Sequence, residues 1–199
     1  MCGGKGTRLE SAHEKPLHPI DGVAMVDRVL AALESSRAET VYAAVSPDAP
    51  KSRAHLECGD GETPSVTILE TAGDGYVADL MTLLDRPAIS PPVLTVAADL
   101  PLLEAPVIDR ILATHGECDV SRTVCVPVAL KRRLGASVDS TLEPETHLAP
   151  TGVNVVGDAS DSQTMTDVHY DPRLAINVNR PEDARLAANE LQRPGAEER

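Results

Sequence analysis

The stretch PPVLTVAADLP (91–101) decides the fold class. Its apolar residues occupy both faces instead of alternating, the pattern of a strand covered on two sides within a parallel sheet. It ends in Asp99. In open α/β sheets ligands bind beyond the carboxyl ends of the strands. A carboxylate at that edge is placed to hold Mg2+. The competing reading is a turn or helix-capping aspartate before Pro101.

Outward from this strand, helical and extended patterns alternate. Met25, Val26, Val29, Leu30 and Leu33 recur at helical spacing and predict a helix over 22–36. TVYAAVSP (40–47) reads as a strand, 50–58 as a short helix, SVTILET (65–71) as a strand and Tyr76 to Leu84 as a helix. Leu103 to His115 predicts a further helix and RTVCVPVAL (122–130) a strand, with Pro127 arguing for an edge or a bulge. Residues 131–149 read as loop, 151–158 and 174–179 as short strands, and NRPEDARLAANEL (179–191) as a helix capped by Asn179. Alternating strands and helices give an α/β class with a mostly parallel sheet flanked by helices. One domain over 1–192 is expected, followed by a disordered tail over 193–199.

Composition narrows the function. The 199 residues hold no Phe, no Trp and three Tyr, so Val, Leu, Ile and Ala must build the core. Lys and Arg number 18 against 31 Asp and Glu, a net charge of −13. Such a surface repels nucleic acid, whose binding needs positive charge. Abundant acidic residues with few lysines match proteins of a high-salt cytoplasm, where screening makes self-repulsion tolerable. No C-x-x-C pair and no His pair at i, i+4 occurs, so neither a zinc site nor a disulfide framework is expected. No apolar run is long enough to span a membrane and no signal-like region opens the chain, which points to the cytoplasm.

The opening MCGGKGTRLESAHEKPL (1–17) is the local exception to the acidic balance. Gly3, Gly4 and Gly6 alternate with Lys5, Thr7 and Arg8, and Lys15 follows. Gly6 stands where a Walker loop needs Ser or Thr after its Lys, so this is not a P-loop. The spacing suits backbone N–H groups wrapped around a triphosphate, with Lys5, Arg8 and Lys15 supplying charge. A Gly-rich turn with solvated cations is the other reading. In ETAGDGYVADL (70–80), Gly73 and Gly75 would allow close approach of a base or ribose, and a plain turn explains them equally well.

GGKGTR (3–8), EKPL (14–17), AADLPLL (97–103) and NVNRPEDARLA (177–187), in this order, resemble the nucleotidyltransferases of the molybdenum-cofactor guanylyltransferase type. SPDAPKS (46–52), TAGDGYVADL (71–80) and PTGVNVV (150–156) extend the resemblance, and bring it nearest to archaeal guanylyltransferases that act on adenosylcobinamide phosphate. The resemblance implies a Rossmann-like nucleotidyltransferase domain that moves GMP from GTP to adenosylcobinamide phosphate and releases pyrophosphate. It also implies Mg2+ as cofactor and leaves a homodimer open.

Carried onto this sequence, Gly3, Gly4, Lys5, Gly6, Thr7 and Arg8 would wrap the phosphates. Arg8, Lys15 and Asp99 would be catalytic, with Asp99 and Asn177 on the metal. Thr71, Gly73, Gly75 and Tyr76 would face guanine or ribose, and Gly152 and Asn154 the cobinamide side. The nucleophile is an anionic phosphate oxygen, so no histidine is given a catalytic role. A molybdenum-cofactor guanylyltransferase is the nearest rival, with sugar-phosphate nucleotidyltransferases and an inert nucleotide-binding regulator further off. The resemblance also implies a strand before the glycine loop, which this sequence lacks. The expectation is that Met1 is an internal methionine and that translation starts about ten residues upstream.

Overall fold

The computed structural model describes residues 1–2, 9, 11–58, 66–115, 120–157 and 164–193. A 3-10 turn at Lys15–Leu17 leads into a small antiparallel hairpin of β1 (Pro19–Ile20) and β2 (Val23–Ala24). Then follow α1 (Met25–Glu34), β3 (Tyr42–Val45), α2 (Pro50–Cys58), β4 (Thr67–Glu70), α3 (Tyr76–Leu84), β5 (Val93–Val96) and α4 (Ala105–His115). The second half holds β6 (Ser121–Pro127), α5 (Val128–Leu134), β7 (Leu148–Val156), β8 (Thr164–Val168), α6 (Pro172–Ala175) and α7 (Pro181–Leu191). The α/β class is borne out.

The β-structure falls into two larger pieces. β3 and β4 pair in parallel, and the other four strands run in the order β5-β7-β6-β8. β7 is antiparallel to both its neighbours, while β6 and β8 are parallel. Within this sheet only β7 runs against the rest. It is reached through the loop after α5 rather than through a helical crossover, and a reversed strand needs no such crossover.

Met1 and Cys2 join the two pieces. Cys2 forms a parallel bridge with Val45 and donates its N–H to the Ala44 carbonyl at 2.7 Å. The Met1 amino group reaches the Val96 carbonyl on the other side at 2.9 Å. These two residues thus lie between β3 and β5. Alongside them lies a cavity of about 620 Å3, lined among others by Leu30, Leu33, Ala43, Leu80, Leu83 and Leu94.

The main core is aliphatic, as composition requires. Val96, Leu100, Ile108, Ile111, Val124, Val126, Val153 and Val155 form one cluster between the four-stranded sheet and its helices. Val107, Ile108 and Ile111 of α4 are wholly buried, at the helical spacing seen in the sequence.

Four expectations are corrected. The strand expected over 122–130 ends at Pro127, and Val128–Leu134 is helical. Pro127 fixes the extended entry to that helix, and the irregularity in β6 lies between Thr123 and Cys125 instead. The loop expected over 131–149 therefore contains most of α5 and the start of β7. The strand expected over 174–179 is α6 followed by an extended run that joins no ladder. There Asp171 caps α6 by accepting from the Arg173 N–H at 3.0 Å, so the local capping bond outweighs β-propensity. Finally, Arg180 rather than Asn179 caps α7. The fully buried Asp183 accepts from the N–H groups of both, at 3.1 and 3.0 Å, which frees the Asn179 side chain.

Candidate active site

Lys15 and Asp99 meet. Lys15 enters from the 3-10 turn, whose Pro16 is buried. Glu14 anchors that turn: its Oε1 accepts from the Lys51 N–H at 2.9 Å, and its Oε2 accepts from the Ser52 N–H at 2.7 Å and hydroxyl at 2.8 Å. Three otherwise open donors at the start of α2 are thus closed by one carboxylate. These bonds outweigh the burial that would raise it, and hold the Glu14 carboxyl below its ordinary value.

From this fixed base the Lys15 Nζ donates to Asp99 Oδ2 at 2.6 Å and to Asn179 Oδ1 at 2.6 Å. Lys15 and Asp99 are only 17% and 16% exposed, so water screens the pair poorly. The second oxygen, Asp99 Oδ1, is buried and has no hydrogen-bond partner among the described residues. An ionised carboxylate oxygen left without a donor is costly, and a cation is what such an oxygen accepts.

Gly152 backs this carboxylate. At φ +85°, a Cβ there would lie 2.9 Å from the Ala97 Cβ, 3.9 Å from Asn177 Nδ2 and 4.0 Å from Asp99 Oδ1. Only glycine leaves β5 and β7 this close. Asn177 donates from Nδ2 to the Thr151 carbonyl at 2.9 Å and accepts on Oδ1 from the Lys131 Nζ at 2.8 Å. One lone pair of its Oδ1 remains for a metal. Asp99, with Asn177 beside it, supplies hard oxygen donors, and this chemistry fits Mg2+ completed by water and phosphate oxygens.

A second group lies along the same strands. The Tyr76 hydroxyl is 2.7 Å from the Thr95 hydroxyl, and Asn154 Nδ2 donates to Tyr76 Oη at 2.9 Å. Thr95 and Asn154 are register partners across β5 and β7. Gly152 and Asn154 are two apart on β7 and so share a face of the sheet. Thr71 follows β4 and gives its N–H to Val45 at 3.1 Å. Gly73 (φ +80°) donates its N–H to Asp79 Oδ1 at 3.0 Å, and Gly75 (φ +111°) caps α3. The structure therefore brings Tyr76 and Asn154 together, although the resemblance assigns them to different substrates. Gly3, Gly4, Lys5, Gly6, Thr7 and Arg8 lie outside the described residues.

Asn179, Thr95, Glu14 and Lys131 were missed as site residues. Asn179 carries a signal, since it alternates with Asn177 in NVN (177–179), but its place before Pro181 reads equally as a helix cap. Thr95 sits inside an apolar run and Lys131 in a basic triplet, so neither stands out locally.

The chain is similar to several known proteins. The MobA-like NTP transferase domain matches residues 1–141. The adenosylcobinamide-phosphate guanylyltransferase of Methanocaldococcus jannaschii is 28% identical over 98% of this chain and 97% of its own. The bifunctional protein GlmU of a Synechococcus strain is 33% identical over 58% of this chain, which spans only 25% of that protein. Among solved structures, a glucose-1-phosphate thymidylyltransferase from Bacillus anthracis superposes with a TM-score of 0.63 at 12% identity, over 100% of this chain and 95% of its own. A CMP-2-keto-3-deoxy-manno-octonic acid synthetase gives a TM-score of 0.61 at 11% identity, covering 91% and 93%. The two structures share the fold. The chain belongs to the MobA-like NTP transferase domain family.

Proposed function

We propose that this chain transfers GMP from GTP to adenosylcobinamide phosphate, with residues 1–192 as its catalytic domain. A terminal phosphate oxygen of the acceptor attacks the α-phosphorus of GTP. A new P–O bond forms there, the bond to the bridging oxygen breaks, and its electron pair leaves with pyrophosphate. Balance requires no oxidant and no covalent enzyme intermediate.

The observation that carries the reading is the 2.6 Å contact of Lys15 with Asp99 at the carboxyl end of β5, in a chain that matches a guanylyltransferase along nearly its whole length. Asp99, with Asn177 beside it, would hold Mg2+, which supplies charge neutralisation on the triphosphate when bound. Lys15 leaves Asp99 for the α-phosphate and the departing pyrophosphate, and Asn179 keeps it within reach. Gly3, Gly4, Lys5, Gly6, Thr7 and Arg8 wrap the triphosphate, and Arg8 adds a fixed positive charge. Thr71, Gly73, Gly75 and Tyr76 take the nucleoside, and Gly152 and Asn154 face the acceptor. Placement and charge account for the catalysis, as in phosphoryl transfer generally. The acidic surface suits a cytoplasm rich in salt, and the reaction fits one chain or a homodimer equally.

The test is pyrophosphate release at high salt with Mg2+ and GTP, with and without adenosylcobinamide phosphate. Release that requires the corrinoid supports the reading. Release that requires a molybdopterin acceptor instead moves the chain to molybdenum-cofactor guanylylation. No release with any acceptor, from protein that binds GTP, makes it a nucleotide-binding regulator.

A further inference from the structure

Three basic residues close α5, and they are not equivalent. Arg132 and Arg133 are exposed, while Lys131 is only 4% exposed. Burying an ammonium is expensive unless its N–H groups are used. Lys131 Nζ donates to the Ala175 carbonyl at 2.6 Å and to Asn177 Oδ1 at 2.8 Å. The first acceptor is the last residue of α6 and the second lies on the run that leaves it.

That run supports both halves of the site. The Val178 N–H donates to the Asp99 carbonyl at 2.9 Å. Asn179 Oδ1 accepts from Lys15 at 2.6 Å. Asn177 Nδ2 reaches the Thr151 carbonyl, next to Gly152, at 2.9 Å. Yet residues 176–179 belong to no helix and no strand, so no ladder fixes them. Their position depends on discrete bonds, and Lys131 supplies two, one to Ala175 where the run begins and one to Asn177 within it.

We infer that Lys131 is a positioning residue that sets Val178 and Asn179, and through them Asp99 and Lys15, for the transfer. The catalytic half of this inference rests on the reading under Proposed function. The positional half does not, because it can be read from the Val178 amide in the enzyme alone.

The experiment compares wild type with Lys131→Met, which keeps length and burial but removes the donors. Lys131→Gln, which retains one N–H donor group, is the second variant should Met not fold. Steady-state kinetics are measured alongside amide hydrogen exchange at Val178 and at Val126 in β6. The expected result is a kcat lowered by about 100-fold, as misplaced groups give, with the KM for GTP little changed. Val178 exchange should quicken by about tenfold, as loss of hydrogen bonds that hold a segment gives, while Val126 stays protected. Equal loosening of Val178 and Val126, with kcat falling only in step with thermal stability, overturns the inference and leaves Lys131 a general core group. Unchanged exchange and kcat overturn it as well. Wild type without corrinoid-dependent release refutes the proposed function instead, and Val178 against Val126 still decides whether Lys131 positions the run.

Discussion

Lys15 Nζ stands 2.6 Å from Asp99 Oδ2 although the two residues are 84 positions apart. Each belongs to a different local device. Lys15 sits on a turn tied to α2 through Glu14, and Asp99 on the run that leaves β5, with its carbonyl held by Val178. Their meeting is a product of the tertiary fold. It sets a cation and an anion side by side just beyond the carboxyl end of β5.

Replacing Asp99 removes a site carboxylate whose buried Oδ1 has no partner among the described residues. Asp99→Ala should lower kcat by about 100-fold or more, the scale of losing one preorganised electrostatic group. Circular dichroism and GTP binding without metal should stay near wild type. Titration with Mg2+ or Mn2+ in the presence of GTP should show weaker binding. Undiminished turnover would remove Asp99 from the mechanism.

Glu14 should make the enzyme acid-labile in a defined direction. Its carboxyl lies below the ordinary value of 4.5 in the folded chain. The unfolded chain therefore binds the proton more readily, and stability falls as pH drops through 4.5 and below. Above that range the contribution is fully present. Glu14→Ala should cost about 1–2 kcal/mol, the scale of a lost helix cap, and should flatten this acid limb in melts from pH 7 to pH 3. Because Lys15 is the next residue, the KM for GTP should rise in the same variant. An unaltered acid limb would assign it to other carboxylates, such as Asp171, whose bonds to Arg173 also hold it below the ordinary range against the burial that would raise it.

Gly152→Ala tests the close approach behind Asp99. The added Cβ would stand 2.9 Å from Ala97, in a backbone at φ +85°. Strain and overpacking together predict a loss of about 1–3 kcal/mol, together with reduced turnover because Asp99 lies next in line. A thermal melt and one kinetic curve suffice. An unshifted melting temperature would mean that β5 and β7 separate at no cost.

What the sequence made legible follows from the range of the interactions. The doubly apolar 91–101 run and the helical spacing of α1, α3 and α4 are local signals, and the α/β class rests on them. Lys15 and Asp99 stand out in the sequence itself, Gly152 and Asn177 only through the resemblance, and the fold brings the four close together. The helix at Val128–Leu134 was hidden because β-branched and Pro residues before it read as extended. The run at 176–179 reads as a strand because Ile176 and Val178 are wholly buried and alternate with asparagines. Its bonds go instead to Asp99, through the Val178 N–H, and to Lys131, through the Asn177 side chain, partners that no local pattern contains.

The cavity beside Met1 and Cys2 gives the last prediction. Cys2 pairs with Val45 in the parallel sense, so residues joined ahead of Met1 would oppose Ala43 and Tyr42, in a space that Leu94 and Val93 also line. The space of about 620 Å3 between them is mostly apolar. Fusing four residues such as Val-Ile-Val-Val to Met1 should fill this space and pair with β3. Each buried side chain contributes about 1.5–3 kcal/mol, against about 1–2 kcal/mol for ordering its backbone. The balance is a net gain of a few kcal/mol, or roughly 5 °C or more in melting temperature at 2–4 °C per kcal/mol for a chain of this size. The N–H groups of β3 and β5 should become more protected from exchange than in the unfused chain. A fused segment of Ser and Gly is the control, since it adds backbone without apolar volume. If both fusions shift the melt equally, backbone pairing alone closes the gap. If neither does, β3 and β5 have already closed on each other in solution.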